Sequence, residues 1–188
     1  MAGWWSRTPP EARPPRRFEA LVLPHLDAAY NLARWLLRDE AQAEDAVQEA
    51  ALRALRYFDA LRGDDARLWF LGIVRNTCYT VLGRPRHELA GWDDEALEAL
   101  HEQHEQHLPA RSDPALQHEQ ARTRRLVDAA LRALPPALRE VIVLRELQQL
   151  EYAEIALVAG VPVGTVMSRL SRARARLRLS LAELGVQP

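Results

Sequence analysis

Residues Leu150–Leu181 read LEYAEIALVAGVPVGTVMSRLSRARARLRLSL, and they are the most informative segment of the chain for predicting its fold. Leu150–Gly160 predicts a short helix closed by a glycine, and Val161–Leu181 predicts a longer helix with two unlike faces. One face of the longer helix is an apolar stripe at helical spacing, formed by Val166, Leu170, Ala173, Leu177 and Leu181. The opposite face is polar and basic, and it carries Thr165, Ser168, Arg169, Arg172 and Arg176.

Two helices joined by a tight glycine turn are typical of a helix-turn-helix, whose second helix reads the major groove of DNA. Between Pro162 and Ala182 the chain has five arginines and no acidic residue. The charge and the layout of this segment therefore both predict a nucleic-acid partner. Pro162 fits the first turn of the second helix, because its ring fixes the backbone angle that the turn needs.

The charge of the chain is segregated along its length. The net charge over 188 residues is only −1, which by itself would argue against a DNA-binding protein. However, residues 87–121 carry nine acidic side chains and one arginine, whereas the helix after Pro162 is purely basic. Charge asymmetry between segments is more informative than the sum. All 25 basic residues are arginine, which indicates a coding bias and not a function.

The composition also limits the class of protein. The single Cys78 excludes an internal disulfide and a cysteine metal cluster. The chain has no signal-peptide core and no apolar run long enough to span a bilayer, so we expect a cytoplasmic protein without membrane insertion. We find no nucleophile–base pair, metal cluster or phosphate loop, and we therefore expect no enzymatic activity, no cofactor and no metal.

The amino-terminal half predicts three helices after a mobile, proline- and arginine-rich arm over residues 1–16. Phe18–Arg38 has helical periodicity with a break near Pro24. Glu40–Phe58 is predicted to bury Val47, Ala51, Leu55 and Phe58 and to expose Asp45, Gln48, Glu49, Arg53 and Arg56. A loop over Asp59–Ala66 precedes a third helix over Arg67–Leu82. That helix is predicted to bury Leu71, Val74, Cys78 and Leu82.

The middle of the chain predicts a linker, and the carboxy-terminal half predicts four helical segments. His101, His104 and His107 recur every three residues in the linker, a spacing that can bind zinc. Because their surroundings are polar and acidic, a solvated linker is the better interpretation. Helices over Arg122–Leu134 and Ala137–Leu147 then flank Pro135 and Pro136. No segment predicts a strand, so the expected fold is all-α, with two small helical domains joined by a flexible acidic linker.

Four segments of the chain carry a family resemblance: AEDAVQEAALRAL (43–55), LWFLGIVRNT (68–77), LRALPPALREVIVL (131–144) and Glu151–Arg176. Together they resemble the extracytoplasmic-function sigma factors of bacterial RNA polymerase, which are members of the sigma-70 family. The resemblance implies that residues 17–86 form region 2, residues 87–121 the linker, and residues 122–184 region 4. The conjunction of these segments in this order is specific, although a helix-turn-helix alone is common.

The resemblance implies two roles for region 2. The first is docking on the clamp of the polymerase β′ subunit through Asp45, Gln48, Glu49 and Arg53. A solvent-facing acidic stripe on a rigid helix also suits a basic helical surface, although the same stripe could be an ordinary solvated face. The second role is capture of the melted −10 strand. The residues that the resemblance implies for it are Arg62, Arg67, Trp69, Arg75 and Asn76, and Trp69 could instead belong to the core.

Region 4 is implied to bind the −35 element as duplex DNA, beside the flap of the polymerase β subunit. The residues implied are Thr165, Ser168, Arg169, Arg172 and Arg176. Met167 lies where many members of the family carry a basic residue, so a phosphate or guanine contact is missing or the promoter preference differs. The role of the linker stays open between lining a polymerase channel and shielding region 4.

The resemblance therefore implies an alternative sigma factor for stress- or signal-dependent promoters, and it implies an anti-sigma factor as a further partner. Two rivals remain at the level of sequence. A stand-alone helix-turn-helix regulator would bind duplex DNA without polymerase. A sigma-like mimic or scaffold would bind regulators and not DNA, although the intact arginines of the last helix argue against it.

Overall fold

The computed structural model describes residues 16–61, 65–83 and 116–183, with side chains from 124 onward in the last range. All regular secondary structure in these ranges is helical, as the sequence predicts. The amino-terminal arm, the three residues 62–64 and most of the acidic linker lie outside the described residues, and so do His101, His104 and His107.

The described residues contain eight α-helices, four in each half. Those of the amino-terminal half are α1 (Arg16–Val22), α2 (Leu26–Leu37), α3 (Glu40–Arg56) and α4 (Ala66–Val81). The predicted break near Pro24 is confirmed, because a 3-10 turn over Leu23–His25 separates α1 from α2. A second 3-10 turn, Phe58–Ala60, follows α3. Helices α2, α3 and α4 pack against one another in all three pairings, which makes this half a small helical bundle.

The buried side of α3 consists of alanines, and here the sequence interpretation was wrong. Ala43, Ala46, Ala50 and Ala54 are at most 2% exposed. Of the predicted core positions, Val47 and Ala51 are only partly buried, Leu55 is 38% exposed, and Phe58 is buried but belongs to the following turn. Small side chains let the backbone of α3 approach its neighbours closely, so this face excludes water without any large residue.

Aspartate side chains fix the starts of the two helices that carry the region-2 residues. The Asp39 carboxylate accepts a hydrogen bond of 2.9 Å from the backbone amide of Gln42 at the start of α3. The Asp65 carboxylate accepts one of 3.2 Å from the Leu68 amide at the start of α4. Each cap satisfies an amide that has no partner within its helix. The Asp39 cap fixes the connection from α2 into α3, and the Asp65 cap fixes the point at which α4 begins.

Four further α-helices build the carboxy-terminal half: α5 (Leu116–Ala133), α6 (Pro136–Ile142), α7 (Tyr152–Ala159) and α8 (Val163–Glu183). Pro136 is at the start of α6, as the proline pair predicts. The predicted helix over 137–147 is not uniform. Its second part, Val143–Leu147, is a π-helical turn, in which the amide of Gln148 donates to the carbonyl of Val143.

Helices α7 and α8 form the predicted helix-turn-helix. Glu151 and Glu154 form a reciprocal capping box at the start of α7. Gly160 ends α7 at φ +66°, a backbone conformation that costs a residue with a side chain about 1 kcal/mol or more. The stripe predicted to face the core is confirmed at its start, because Val166, Leu170 and Ala173 are buried; Leu177 and Leu181 are partly buried.

The two halves pack directly on each other, an arrangement that the sequence leaves open. Helix α7 packs on α4, and α6 packs on α2, so that residues of both halves form one continuous hydrophobic cluster. We call this contact the closure interface; it is formed by α2 and α4 on one side and by α6, the π-helical turn and α7 on the other.

Within the described ranges, no single helix has both the length and the hydropathy of a membrane span. Helices α7 and α8 satisfy those two criteria only as a pair, and a bend of 101° separates them.

Candidate functional site

The acidic stripe of α3 faces solvent. Asp45, Gln48 and Glu49 are exposed, as predicted, on the side of the helix opposite the alanines. Arg53 lies at the end of the stripe, where its Nε donates to the Glu49 carboxylate at 2.7 Å. Its Nη1 lies 3.5 Å from the Thr77 hydroxyl on α4. The stripe is therefore a rigid surface that is anchored to a second helix at one end.

Leu52 completes this face, and the sequence interpretation missed it. It follows Asp45 by two helical turns and is 54% exposed, although leucine is an apolar residue. An exposed leucine with carboxylates around it matches the anatomy of a protein interface, in which an apolar centre has a polar rim. The sequence contained this information, because the seven-residue spacing between Asp45 and Leu52 places both on one face of a helix.

The residues assigned to the −10 strand lie on or next to α4, but they do not form one open surface. Arg62 lies outside the described residues. Trp69 is partly buried, and its ring packs edge-on against Phe58 at a centroid distance of 6.4 Å. Arg67 reaches across the closure interface, where its Nη2 donates to the Gln148 carbonyl at 2.6 Å. Asn76 keeps partial exposure, and its Oδ1 accepts from Arg75 at 3.3 Å.

Arg75 is buried, whereas the sequence interpretation placed it where it could reach phosphates. It is 2% exposed, and its Nε donates to the Glu140 carboxylate on α6. The other Glu140 oxygen accepts a hydrogen bond of 2.9 Å from the Tyr79 hydroxyl. The guanidinium of Arg75 also lies 4.6 Å from the centre of the Tyr79 ring. Arg75 thus faces a carboxylate of the other half of the chain in this arrangement.

The electrostatics of this cluster favour the charged pair over its neutral form. Burial alone would lower the pKa of Arg75, but the charges and hydrogen bonds of Glu140 and Tyr79 outweigh it and raise that pKa. Burial, together with the Glu140 charge, raises the pKa of Tyr79 well above its ordinary value. Burial also raises the pKa of the neighbouring Cys78 thiol to about 12, which makes this cysteine unreactive at neutral pH.

Most of the residues assigned to the −35 element lie along one side of α8. Thr165, Arg172 and Arg176 are partly exposed and Ser168 is exposed. The Ser168 hydroxyl donates to the Thr165 carbonyl at 3.0 Å, and the Arg172 guanidinium lies along its own helix, 3.4 Å from Ser168 Oγ. Met167 is 54% exposed beside them, so the missing basic residue falls on the outward surface.

Arg169 departs from that surface. It is only 4% exposed, and its positive charge lies close enough to Tyr79 to act on the pKa of that hydroxyl. Helix α7, which precedes α8 in the helix-turn-helix, packs on α4. Sequence reasoning could place Arg169 on α8 but not next to the other half of the chain.

Besides Leu52, sequence reasoning did not identify Glu140 and Gln148 as residues of the site. Glu140 is fully buried and Gln148 is 6% exposed. Glu140 is directly followed by the apolar residues VIVL (141–144) on the same helical segment. A lone carboxylate in such a run indicates a buried ionic partner, because an unpaired charge there is costly.

Two family profiles match the two halves of the chain. The profile described as "Sigma-70 region 2" matches residues 21–87, and the profile described as "Sigma-70, region 4" matches residues 124–177. The chain is 38% identical to the "ECF RNA polymerase sigma-E factor" of Escherichia coli (strain K12) over 131 residues, which is 69% of each protein. It is 34% identical to the "RNA polymerase sigma-H factor" of Pseudomonas aeruginosa over 175 residues, covering 90% of this chain and 88% of that protein.

Two solved structures are also similar. The sigma factor RpoE of Bartonella quintana, crystallised with the anti-sigma factor NepR, has a TM-score of 0.66 and 26% identity, with 89% of this chain and 98% of that chain covered. CnrH, solved with the cytosolic domain of CnrY, has a TM-score of 0.61 and 26% identity, with 89% of both chains covered.

Proposed function

The chain belongs to the extracytoplasmic-function sigma factors of the sigma-70 family, and we propose on this premise that it directs core RNA polymerase to a signal-dependent set of promoters. Region 2 docks on the enzyme and handles the melted −10 strand, while region 4 reads the −35 element as duplex. The observation that carries the proposal is the presence of both matched regions in one chain.

The polymerase contact that we propose is the α3 face formed by Asp45, Gln48, Glu49, Leu52 and Arg53. Its carboxylates attract a basic helical surface such as the β′ clamp, and complementary charges accelerate and orient the encounter. Leu52 supplies apolar area at the centre of the contact. Region 4 is proposed to rest on the β flap, which sets the distance between the two DNA-reading parts.

The −35 contact that we propose uses the amino-terminal turns of α8. The Gly164 backbone amide and the Thr165 hydroxyl are proposed to contact a phosphate, which positions the helix without reading sequence; the Thr165 amide itself donates to the Pro162 carbonyl at 2.9 Å. Ser168 and Arg172 lie one and two turns farther on, where side chains reach base edges in the major groove. Arg176 is proposed as a phosphate contact.

The −10 contact that we propose depends on strand separation, because duplex DNA hides the Watson–Crick edges. A base that leaves the stack can be captured in a pocket on the protein. Asn76 offers both a donor and an acceptor to such a base. Arg62, Arg67 and Arg75 are proposed to neutralise the phosphates of the same strand, and Trp69 supports the loop from the core side by its contact with Phe58.

The chain itself is proposed to catalyse no reaction, since phosphodiester synthesis belongs to the polymerase, and it is proposed to act where that enzyme acts, in the cytoplasm. The two solved relatives were captured with the anti-sigma factor NepR and with CnrY. By analogy we propose an anti-sigma factor as the regulator of this chain.

Run-off transcription with core polymerase and a promoter library tests the function. We expect discrete transcripts that appear only when this protein is added and that share −35 and −10 elements. A specific footprint on duplex DNA by the protein alone, without transcripts, would identify a stand-alone regulator instead. The absence of both transcripts and a footprint would support a sigma-like mimic.

Asn76→Ala is expected to impair promoter opening more than duplex binding. Loss of the amide removes hydrogen bonds to an unstacked base, worth about 1–3 kcal/mol or roughly 5- to 150-fold. The measurement is permanganate reactivity of the −10 thymines in the holoenzyme complex, with −35 binding followed in parallel. Thr80→Ala, one turn farther along α4 at an exposed position, is the matched control. A larger loss in −35 binding than in opening would refute the assignment.

A further inference from the structure

The closure interface covers the residues that the proposed function needs for DNA. Arg67 and Arg75 on α4 each donate a hydrogen bond to the carboxy-terminal half, to Gln148 and Glu140 respectively. Arg169 on α8 is buried on the same side of the molecule. A phosphate of the −10 strand and the Glu140 carboxylate would therefore compete for the same guanidinium. We propose that free protein rests in this closed state, and that the Glu140 carboxylate is the latch that holds region 4 over the −10 surface of region 2.

The latch is a three-group cluster that the linker separates in sequence. Glu140 lies on α6, whereas both groups that it binds, Arg75 Nε and the Tyr79 hydroxyl, lie on α4, 65 and 61 residues earlier. Each carboxylate oxygen has its own donor, so the buried charge is both neutralised and hydrogen-bonded. This pairing offsets the cost of burying the two charges, although Arg75 Nη2 is buried without a hydrogen-bond partner among the described residues. If the halves separated, all three groups would return to water.

Burial makes the latch conditional on both of its partners. A buried ion pair contributes little net stability compared with apolar packing, but removing one partner leaves an uncompensated charge in the interior. The closed state is therefore far more sensitive to the loss of Glu140 than the modest net contribution of the ion pair to stability suggests. Polymerase or single-stranded DNA that offers Arg75 another anionic partner shifts the equilibrium between the closed and open states toward the open state.

This inference rests on the proposed function for its biological meaning, but its test is structural. In full-length chain with Cys78→Ala, nitroxide labels are placed at two exposed positions, Glu44→Cys on α3 and Leu179→Cys on α8. Pulsed EPR then measures the distance between the halves. We expect one narrow distance in the parent and a broad, longer distribution in Glu140→Gln, because its open-to-closed ratio rises about 100-fold, which is about 2.7 kcal/mol.

Two further variants separate opening from misfolding. Glu146→Gln is the matched control, since Glu146 pairs with Arg174 inside region 4 at 2.9 Å and does not cross the interface. It should keep the narrow distance. Glu140→Arg should open the protein, and adding Arg75→Glu should restore closure by exchanging the two charges. Restoration in this double variant excludes a folding defect as the cause of opening.

The outcomes are distinct from those of the transcription assay. If Glu140→Gln and Glu140→Arg both keep the narrow distance distribution of the parent, the latch is refuted, even if the parent transcribes from specific promoters. Opening of both variants with closure of the exchanged pair would support the latch, even if no promoter were found. A parent that is already broad would overturn the closed resting state.

Discussion

Asp45→Arg combined with Glu49→Arg is expected to abolish the binding of core polymerase at working concentrations. Both carboxylates are exposed on the outer face of α3, so the fold does not depend on them. Reversal of two charges at an interface replaces attraction with repulsion and costs several kcal/mol. We expect the dissociation constant for the core enzyme to rise about 100-fold or more, which corresponds to about 2.7 kcal/mol. Fluorescence anisotropy of labelled protein titrated with core enzyme measures it.

The control for this experiment must change net charge equally without touching the α3 face. Asp27→Arg with Glu183→Arg meets that condition, since both side chains are exposed and lie on α2 and at the end of α8. Thermal unfolding should be nearly the same for both double variants. Wild-type affinity in Asp45→Arg/Glu49→Arg would refute the docking assignment, and an equal loss in the control would reduce it to a net-charge effect.

Arg172→Ala is expected to weaken binding of the −35 element by about 1–3 kcal/mol, roughly 5- to 150-fold, if the guanidinium reads a base. Its position on α8, two turns after Thr165, suits a contact in the major groove. The measurement compares holoenzyme affinity for a selected promoter and for the same DNA with a scrambled −35 element. Loss of affinity should be confined to the selected promoter.

Arg125→Ala supplies the control, because its side chain is exposed on α5 and lies outside the helix-turn-helix. It should leave the preference for the selected promoter intact. An equal loss on both DNA molecules for Arg172→Ala would make Arg172 a phosphate contact, and the salt dependence should then fall by about one unit of slope.

Local rules in the sequence were sufficient for the helix-turn-helix. Gly160 in the left-handed conformation and Pro162 just ahead of the next helix specify the turn wherever the rest of the chain lies. The same holds for the break at Pro24, which the structure places in a 3-10 turn. Each of these features depends on backbone preferences of a few adjacent residues, so no distant partner is needed to predict it.

Helix α3 shows where periodicity misleads. The interpretation favoured the larger apolar side chains, but the structure buries Ala43, Ala46, Ala50 and Ala54 and leaves Leu52 and Leu55 partly in solvent. Apolar character and burial diverge when a helix packs closely enough that only a methyl group fits. The exposed leucines are then available for a partner, a distinction that hydropathy alone does not make.

The burial of Arg75 and Arg169 could not be predicted at all from local pattern. Its spacing places Arg169 on the polar face of α8, but it does not show that this residue lies near Tyr79 of α4. Arg75 is paired with Glu140, which lies 65 residues farther along the chain and beyond the acidic linker. Sequence periodicity reports the face of a helix, but it carries no information on which distant helix meets that face.

The alanine face of α3 has a thermodynamic consequence for recruitment of the enzyme. Alanine has no rotamer freedom to lose, so a helix that packs through methyl groups needs no side-chain rearrangement on that face. The acidic stripe is thus held in place before any partner arrives. Association should therefore lose little conformational entropy from the sigma backbone, and the ordering cost should fall mainly on the side chains that make the contact.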